Sequence, residues 1–111
     1  MNTRKIAIIG GGNLGAAIAE GLLKSGFATP QQITVTRRTL SRLHALKEQG
    51  VTITDNNQAA IESSDVIIVA LKPYNVKEVL EGLKNSFEPK KHIVISVVTG
   101  IFLLRSILKY K

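Results

Sequence analysis

Short β-branched apolar runs alternate with longer stretches in which apolar residues return every three or four positions. Lys5 to Ile9 is an isoleucine-rich run that reads as a strand buried on both faces. From Asn13 to Ser25, Leu14, Ala17, Ile18 and Leu22 fall at helical spacing, and Gly26 stands where a left-handed C-terminal residue belongs. Pro30 lies in the next connection, and Ile33 to Thr36 alternates as a second strand. Leu40, Leu43 and Leu46 form the stripe of a second helix, with Thr39 as its N-cap and Gly50 as its stop. Val51 to Ile53 reads as a third strand, and Asn57 to Ser63 as a weak helix around Ala59, Ala60 and Ile61. Residues 66 to 71, VIIVAL, give the strongest buried-strand signal, and Pro73 marks its exit. Val76, Val79, Leu80 and Leu83 place a helix over 75 to 86, and residues 92 to 98, HIVISVV, make a fifth strand. Strands alternating with helices predict a parallel sheet wound by right-handed crossovers.

The chain has 111 residues, which suits one domain burying about 65% of its unfolded surface. Without cysteine it has no disulfide framework and no thiolate metal site, a composition compatible with a cytoplasmic location. Only four apolar residues precede the first glycine, so no secretory leader is expected. The longest apolar stretch, residues 93 to 104, is broken by Ser96, Thr99 and Gly100, which argues against a membrane span. A net charge of +7 invites a nucleic-acid reading. The basic residues are dispersed, however, and no stacking aromatics interleave with them, so a small polyanionic ligand is favoured and nucleic acid is not.

Gly10, Gly12 and Gly15 satisfy G-x-G-x-x-G between a buried strand and a helix start. In that setting the first glycine permits the tight turn and the second lets backbone approach a pyrophosphate. The third lets helix and strand pack closely, and the helix N-terminus directs its unpaired N–H groups at the phosphates. The competing reading is a flexible turn with no ligand. A dinucleotide site also expects an acid at the end of the second strand, to hold the ribose 2′-hydroxyl of NAD. Here Thr36, Arg37 and Arg38 occupy that place and no carboxylate follows until Glu48. A guanidinium pairs with a 2′-phosphate, so NADP is expected over NAD unless the two arginines form only a solvated turn. Pro73 biases Lys72 toward an extended backbone beyond the fourth strand, where a lysine either binds an anion or is simply a surface residue. His44 and His92 read as surface or capping residues. No catalytic triad, metal constellation or carboxylate pair stands out, so no catalytic residue is assigned.

Taken together, KIAIIGGGNLG, ITVTRRTLSRL, TDNNQAAIESSDVIIVALKP and HIVISVVTG resemble the amino-terminal domain of pyrroline-5-carboxylate reductase, from about residue 4 to residue 100. The resemblance implies a Rossmann-like, doubly wound sheet of order 3-2-1-4-5 with NAD(P)H as hydride donor. The hydride would pass to the imine carbon of 1-pyrroline-5-carboxylate, giving proline. Carried over by position, Gly10, Gly11, Gly12, Asn13, Leu14 and Gly15 would hold the pyrophosphate. Thr36, Arg37 and Arg38 would meet the adenosine ribose or its phosphate, and Asn57 would lie by the adenine ribose. Ala70, Leu71, Lys72 and Pro73 would flank the nicotinamide ribose, and the stretch from Val97 through Val98 and Thr99 to Gly100 would line the nicotinamide end.

The family continues into a helical domain that dimerises and supplies much of the substrate site. Here residues 1 to 100 read as the binding domain, and IFLLRSILKYK follows as an atypical apolar tail over 101 to 111. A short helix there would gather Ile101, Leu104 and Leu108 on one side, widened by Phe102, Leu103 and Ile107, and would seek a partner such as a second copy. Such an ending suggests a truncated gene product, a frameshift or a lone domain, and cofactor binding with little turnover. The rival reading is a non-catalytic nucleotide-binding or dimerising module.

Overall fold

A computed structural model describes residues 4–10, 12–70, 79–88 and 92–96. Its centre is β1 (Ile6–Ile9), four residues that all lie at 2% exposure or below. Parallel β2 (Ile33–Thr36) flanks it on one side and parallel β4 (Val66–Val69) on the other. β3 (Thr52–Thr54) adds outside β2, and β5 (Ile93–Ser96) outside β4, giving the order β3-β2-β1-β4-β5. The sheet is parallel, as the alternation predicted, and has the Rossmann-like order that the resemblance implied. Every apolar β1 side chain is covered because successive residues point to opposite faces. Ile6 and Ile8 join Ile33, Val35, Leu43 and Leu46 on one face, while Ala7 and Ile9 join Ile61, Ile67, Leu80 and Phe87 on the other.

Helix α1 (Asn13–Lys24) ends as expected, with Gly26 at φ +75° and its N–H on the Leu23 carbonyl. The second helix departs from expectation. Leu40–Leu43 is a 3₁₀ turn that passes into a short α2 (His44–Glu48), and the Thr39 side chain makes no capping bond. Leu40, Leu43 and Leu46 recur at every third residue, which is the 3₁₀ period, so the stripe stays on one face through the tighter winding. The third strand is shifted by one residue for a related reason. Gly50, at φ +101°, donates to the Lys47 carbonyl, and the Val51 N–H reaches back to the Leu46 carbonyl. This pair of bonds closes the helix and consumes the amide with which Val51 would have joined the sheet.

Helix α3 (Asn57–Glu62) is opened by Asn56, whose side chain accepts the Ala59 N–H at 3.0 Å. Strand β4 stops at Val69, although Ala70 still donates to the Ile9 carbonyl. Residues 79–83 are helical and lead into a 3₁₀ turn at Lys84–Ser86. Leu71, the start of the 75–86 helix, the last residues of the expected fifth strand and the 101–111 helix lie outside the described residues. So does the tail's dimer surface. Among the described residues, no helix is long and apolar enough to cross a membrane.

His44 is exposed and pairs with Glu48 at 2.8 Å, as a surface residue should. His92 does not fit the surface reading, because it is buried at the entrance to β5. Its Nδ1 accepts the Glu88 N–H at 2.8 Å, which leaves Nε2 as the protonated nitrogen, donating to the Ile61 carbonyl 2.9 Å away. Phe87 meets the ring edge-on at 6.2 Å. The imidazole therefore ties β5 to the end of α3. Replacing it in His92→Ala strands a buried carbonyl and an amide, and should cost about 2–4 kcal/mol, read as a lower urea midpoint with unchanged slope.

Candidate functional site

Parallel pairing brings the carboxyl ends of the five strands into one row. Thr36 is opposite both Ile9 and Thr54, and Val69 is opposite both Ile9 and Ser96. Among the described residues, the segments marked in the sequence leave the sheet from this row. Gly10 follows Ile9, Arg37 follows Thr36, Ala70 follows Val69, and Asn57 opens α3 shortly after Thr54. The strand order reverses between β1 and β4, and an open α/β sheet receives ligands at that crevice, beyond the carboxyl edge.

The three fingerprint glycines have separable physical duties. Gly10 adopts φ +98°, which a side chain would strain, and turns the chain out of β1. A Cβ on Gly15 would overlap the Gly10 carbonyl oxygen and press on the Ile8 side chain, so only hydrogen lets α1 seat on the strand end. A Cβ on Gly12 would meet nothing within 4 Å. Open space at Gly12, directly before α1, is what a ligand-receiving cradle requires.

Gly12 occupies the N-cap position, yet no side chain caps the helix, and its first turn contains no acidic residue. The first bond of the helix runs from the Ala16 N–H to the Gly12 carbonyl, so the amides of the preceding turn have no intrahelical acceptor. Asn13 and Leu14 are exposed there. The positive end of a twelve-residue helix dipole thus lies beside the open space at Gly12, with no carboxylate in its own first turn.

At the β2 end the three candidates diverge. Thr36 is buried at 1% exposure, and its Oγ1 accepts the Gly10 N–H at 3.2 Å. Arg37 is half-buried, with its amide held by the Thr54 carbonyl at 3.1 Å. Arg38 is exposed on the turn that follows. Asn57 is half-buried in the first turn of α3, and Ala70 is buried beside Ile9. Gly11, Leu71, Lys72, Pro73, Val98, Thr99 and Gly100 lie outside the described residues. The sequence reading missed the inward turn of Thr36. Alternation along ITVT marks which face a residue takes, but not which polar group across the sheet will claim it. An open hollow between Leu40, His44, Val51 and Ile53 lies at the outer β3 edge, and none of the candidate residues lines it. Among the described residues no group of three His, Cys, Asp or Glu is placed to hold a metal.

Comparison with known proteins agrees with this fold. A family model described as NADP oxidoreductase, coenzyme F420-dependent, matches residues 5–100. Pyrroline-5-carboxylate reductase 2 of Dictyostelium discoideum is 44% identical over 101 residues, covering 90% of this chain and 33% of that protein. The structure of a pyrroline-5-carboxylate reductase from Coxiella burnetii superposes with a TM-score of 0.86 at 37% identity, over 96% of this chain and 40% of that one. A Plasmodium falciparum pyrroline carboxylate reductase with NADP bound shares the fold, with a TM-score of 0.81 at 21% identity over 97% of this chain and 39% of that one. The chain thus spans roughly a third of the length of the curated relative and two-fifths of these structures.

The glycine geometry separates folding from binding. Gly15→Ala should lose about 1–3 kcal/mol of stability through overpacking, measured by denaturant titration. Gly12→Ala, which has room for its methyl group, should lose no more than about 1 kcal/mol, an N-cap effect, while sharply weakening any anion seated on α1.

Proposed function

The chain belongs to the family described as NADP oxidoreductase, coenzyme F420-dependent, and on that footing we propose that it is the dinucleotide-binding part of a pyrroline-5-carboxylate reductase. The observation that carries this reading is the uncapped, acid-free N-terminus of α1 above the open space at Gly12. On this reading the glycine turn and the first-turn amides of α1 receive the pyrophosphate. Residues 1 to 100 constitute the binding domain, and 101 to 111 are a separate segment.

Arg38 is the group we assign to a 2′-phosphate, being exposed at the end of β2 with no carboxylate before Glu48. Arg37, fixed through its backbone, and Asn57 complete the adenosine side. NADPH is on this reading preferred over NADH. Ala70 to Pro73 and Val98 to Gly100 follow the strands on the β4 side of the switch point, which suits the nicotinamide half. When bound, the cofactor supplies a hydride for the imine carbon of the substrate, and a proton on nitrogen completes the amine. The residues of this chain bind and orient; the resemblance assigns none of them to the proton transfer. The relative that matches over 101 residues is about three times as long as this chain. A chain without cysteine is compatible with a cytoplasmic setting.

A second copy as partner is favoured by one observation beyond the apolar tail. Ile93 and Ile95 are exposed at 49% and 45% on one face of β5. Deleting residues 101 to 111 should then convert a dimer to a monomer in size-exclusion chromatography. An unchanged elution position would remove this part of the reading.

Isothermal titration of the 111-residue chain should give saturable NADPH binding, with NADH weaker by about tenfold, the worth of one charge-assisted hydrogen bond. Absence of binding at millimolar NADPH would overturn the assignment. Arg38→Ala should bring NADPH down to the affinity of NADH and leave NADH unchanged. Incubated with the cyclic imine, the chain alone should not oxidise NADPH above background in a 340 nm assay.

A further inference from the structure

Thr36 is the last residue of β2, paired with Ile9, and it is closed off from solvent. At this point the two strands part, because Gly10 turns away at φ +98°. The Gly10 amide does not go unmet. It donates to Thr36 Oγ1 at 3.2 Å, so a side-chain hydroxyl supplies an acceptor where the backbone ladder has ended. The Gly10 carbonyl is confined as well, since the Gly15 α-carbon lies so close that a Cβ would overlap it. Both polar ends of the turn residue are therefore fixed, one by packing along the chain and one by a hydroxyl from the neighbouring strand.

Resting on the dinucleotide reading above, we propose that Thr36 is a positioning residue for the cofactor: it sets the path of the pyrophosphate turn through the Gly10 amide and does not itself touch the ligand. The same strand end then serves both halves of the adenosine diphosphate. Its buried hydroxyl orients the turn that receives the pyrophosphate, and two residues later Arg38 meets the 2′-phosphate. Valine has the shape of threonine and suits a buried strand end, but it offers no acceptor to Gly10. Thr36→Val therefore loosens the turn while keeping the packing of β2.

The test compares the full chain with Thr36→Val and Thr36→Ser, using NADPH and adenosine 2′-monophosphate as ligands. The second ligand occupies only the Arg38 side. Thr36→Val should weaken NADPH about 3- to 10-fold, the worth of one hydrogen bond, and leave adenosine 2′-monophosphate within about twofold. Thr36→Ser should restore NADPH binding. Hydrogen exchange of the Gly10 amide, followed by NMR, should be slow in the wild-type chain and in Thr36→Ser, and faster in Thr36→Val. Unaltered NADPH affinity in Thr36→Val overturns the proposal, as does equal weakening of both ligands, which marks general damage. Should Thr36→Val fail to fold, a wild-type Gly10 amide exchanging as fast as an exposed loop amide overturns it equally, and a protected one with full binding by Thr36→Ser upholds it. Failure of the wild-type chain to bind NADPH would instead strike the functional reading, whatever the Gly10 amide does.

Discussion

The approach of the Gly15 α-carbon to the Gly10 carbonyl governs how near α1 can come to the end of β1. A methyl group there would push the helix outward, and with it the first-turn amides. Interior packing is dense enough that such a displacement cannot be absorbed locally. The helix is also anchored further along, where Ala19 is fully buried and Ala16, Ile18 and Leu22 pack on the core around Ile6 and Ile8. One end of α1 is thus held by the absence of an atom and the rest by ordinary apolar contact. That division lets the turn between Gly10 and Asn13 stay open without loosening the helix.

Electrostatics at the same edge follows from what the sequence withholds. The first turn of α1 carries no acid, and the end of β2 carries arginines where an acid would select an unphosphorylated ribose. Backbone dipoles near the helix end and the exposed Arg38 guanidinium act at different ranges and with different geometry. The first is fixed and needs no reorganisation to meet a phosphate; the second is a bidentate fork that must be ordered on binding. This edge therefore offers backbone groups that need no ordering beside a side chain that does.

How much of this was legible in the sequence depends on range. The strands β1 and β4, the helix α1 and the glycine ends at 26 and 50 are declared by residues that lie within a turn or two of each other. A parallel sheet with right-handed crossovers follows from alternation and handedness, whereas its strand order was implied by the family resemblance. The one-residue shift of β3 was not legible, because an amide that fits a strand by composition was spent on closing α2. Nor was the role of His92, whose partners lie 4 and 31 residues away and are backbone groups without any sequence signature. Thr36 is the same kind of case. Its position beside Arg37 suggested contact with ligand, while its buried hydroxyl answers to an amide 26 residues earlier.

The sheet is finished unevenly, and this bears on what the chain does by itself. Around β1 both faces are sealed by described residues, one by α1 and the Leu43–Leu46 turn, the other by α3, Leu80 and Phe87. At β5 only one face is sealed, with Val94 turned toward Leu80 and Phe87, while Ile93 and Ile95 stand exposed on the other. The completed part coincides with the turn, the helix end and the arginines assigned to the phosphates and adenosine. The incomplete part lies beside the strand assigned to the nicotinamide, where hydride would leave. The exposed Ile93 and Ile95 leave apolar surface at β5 that would gain burial against additional protein surface.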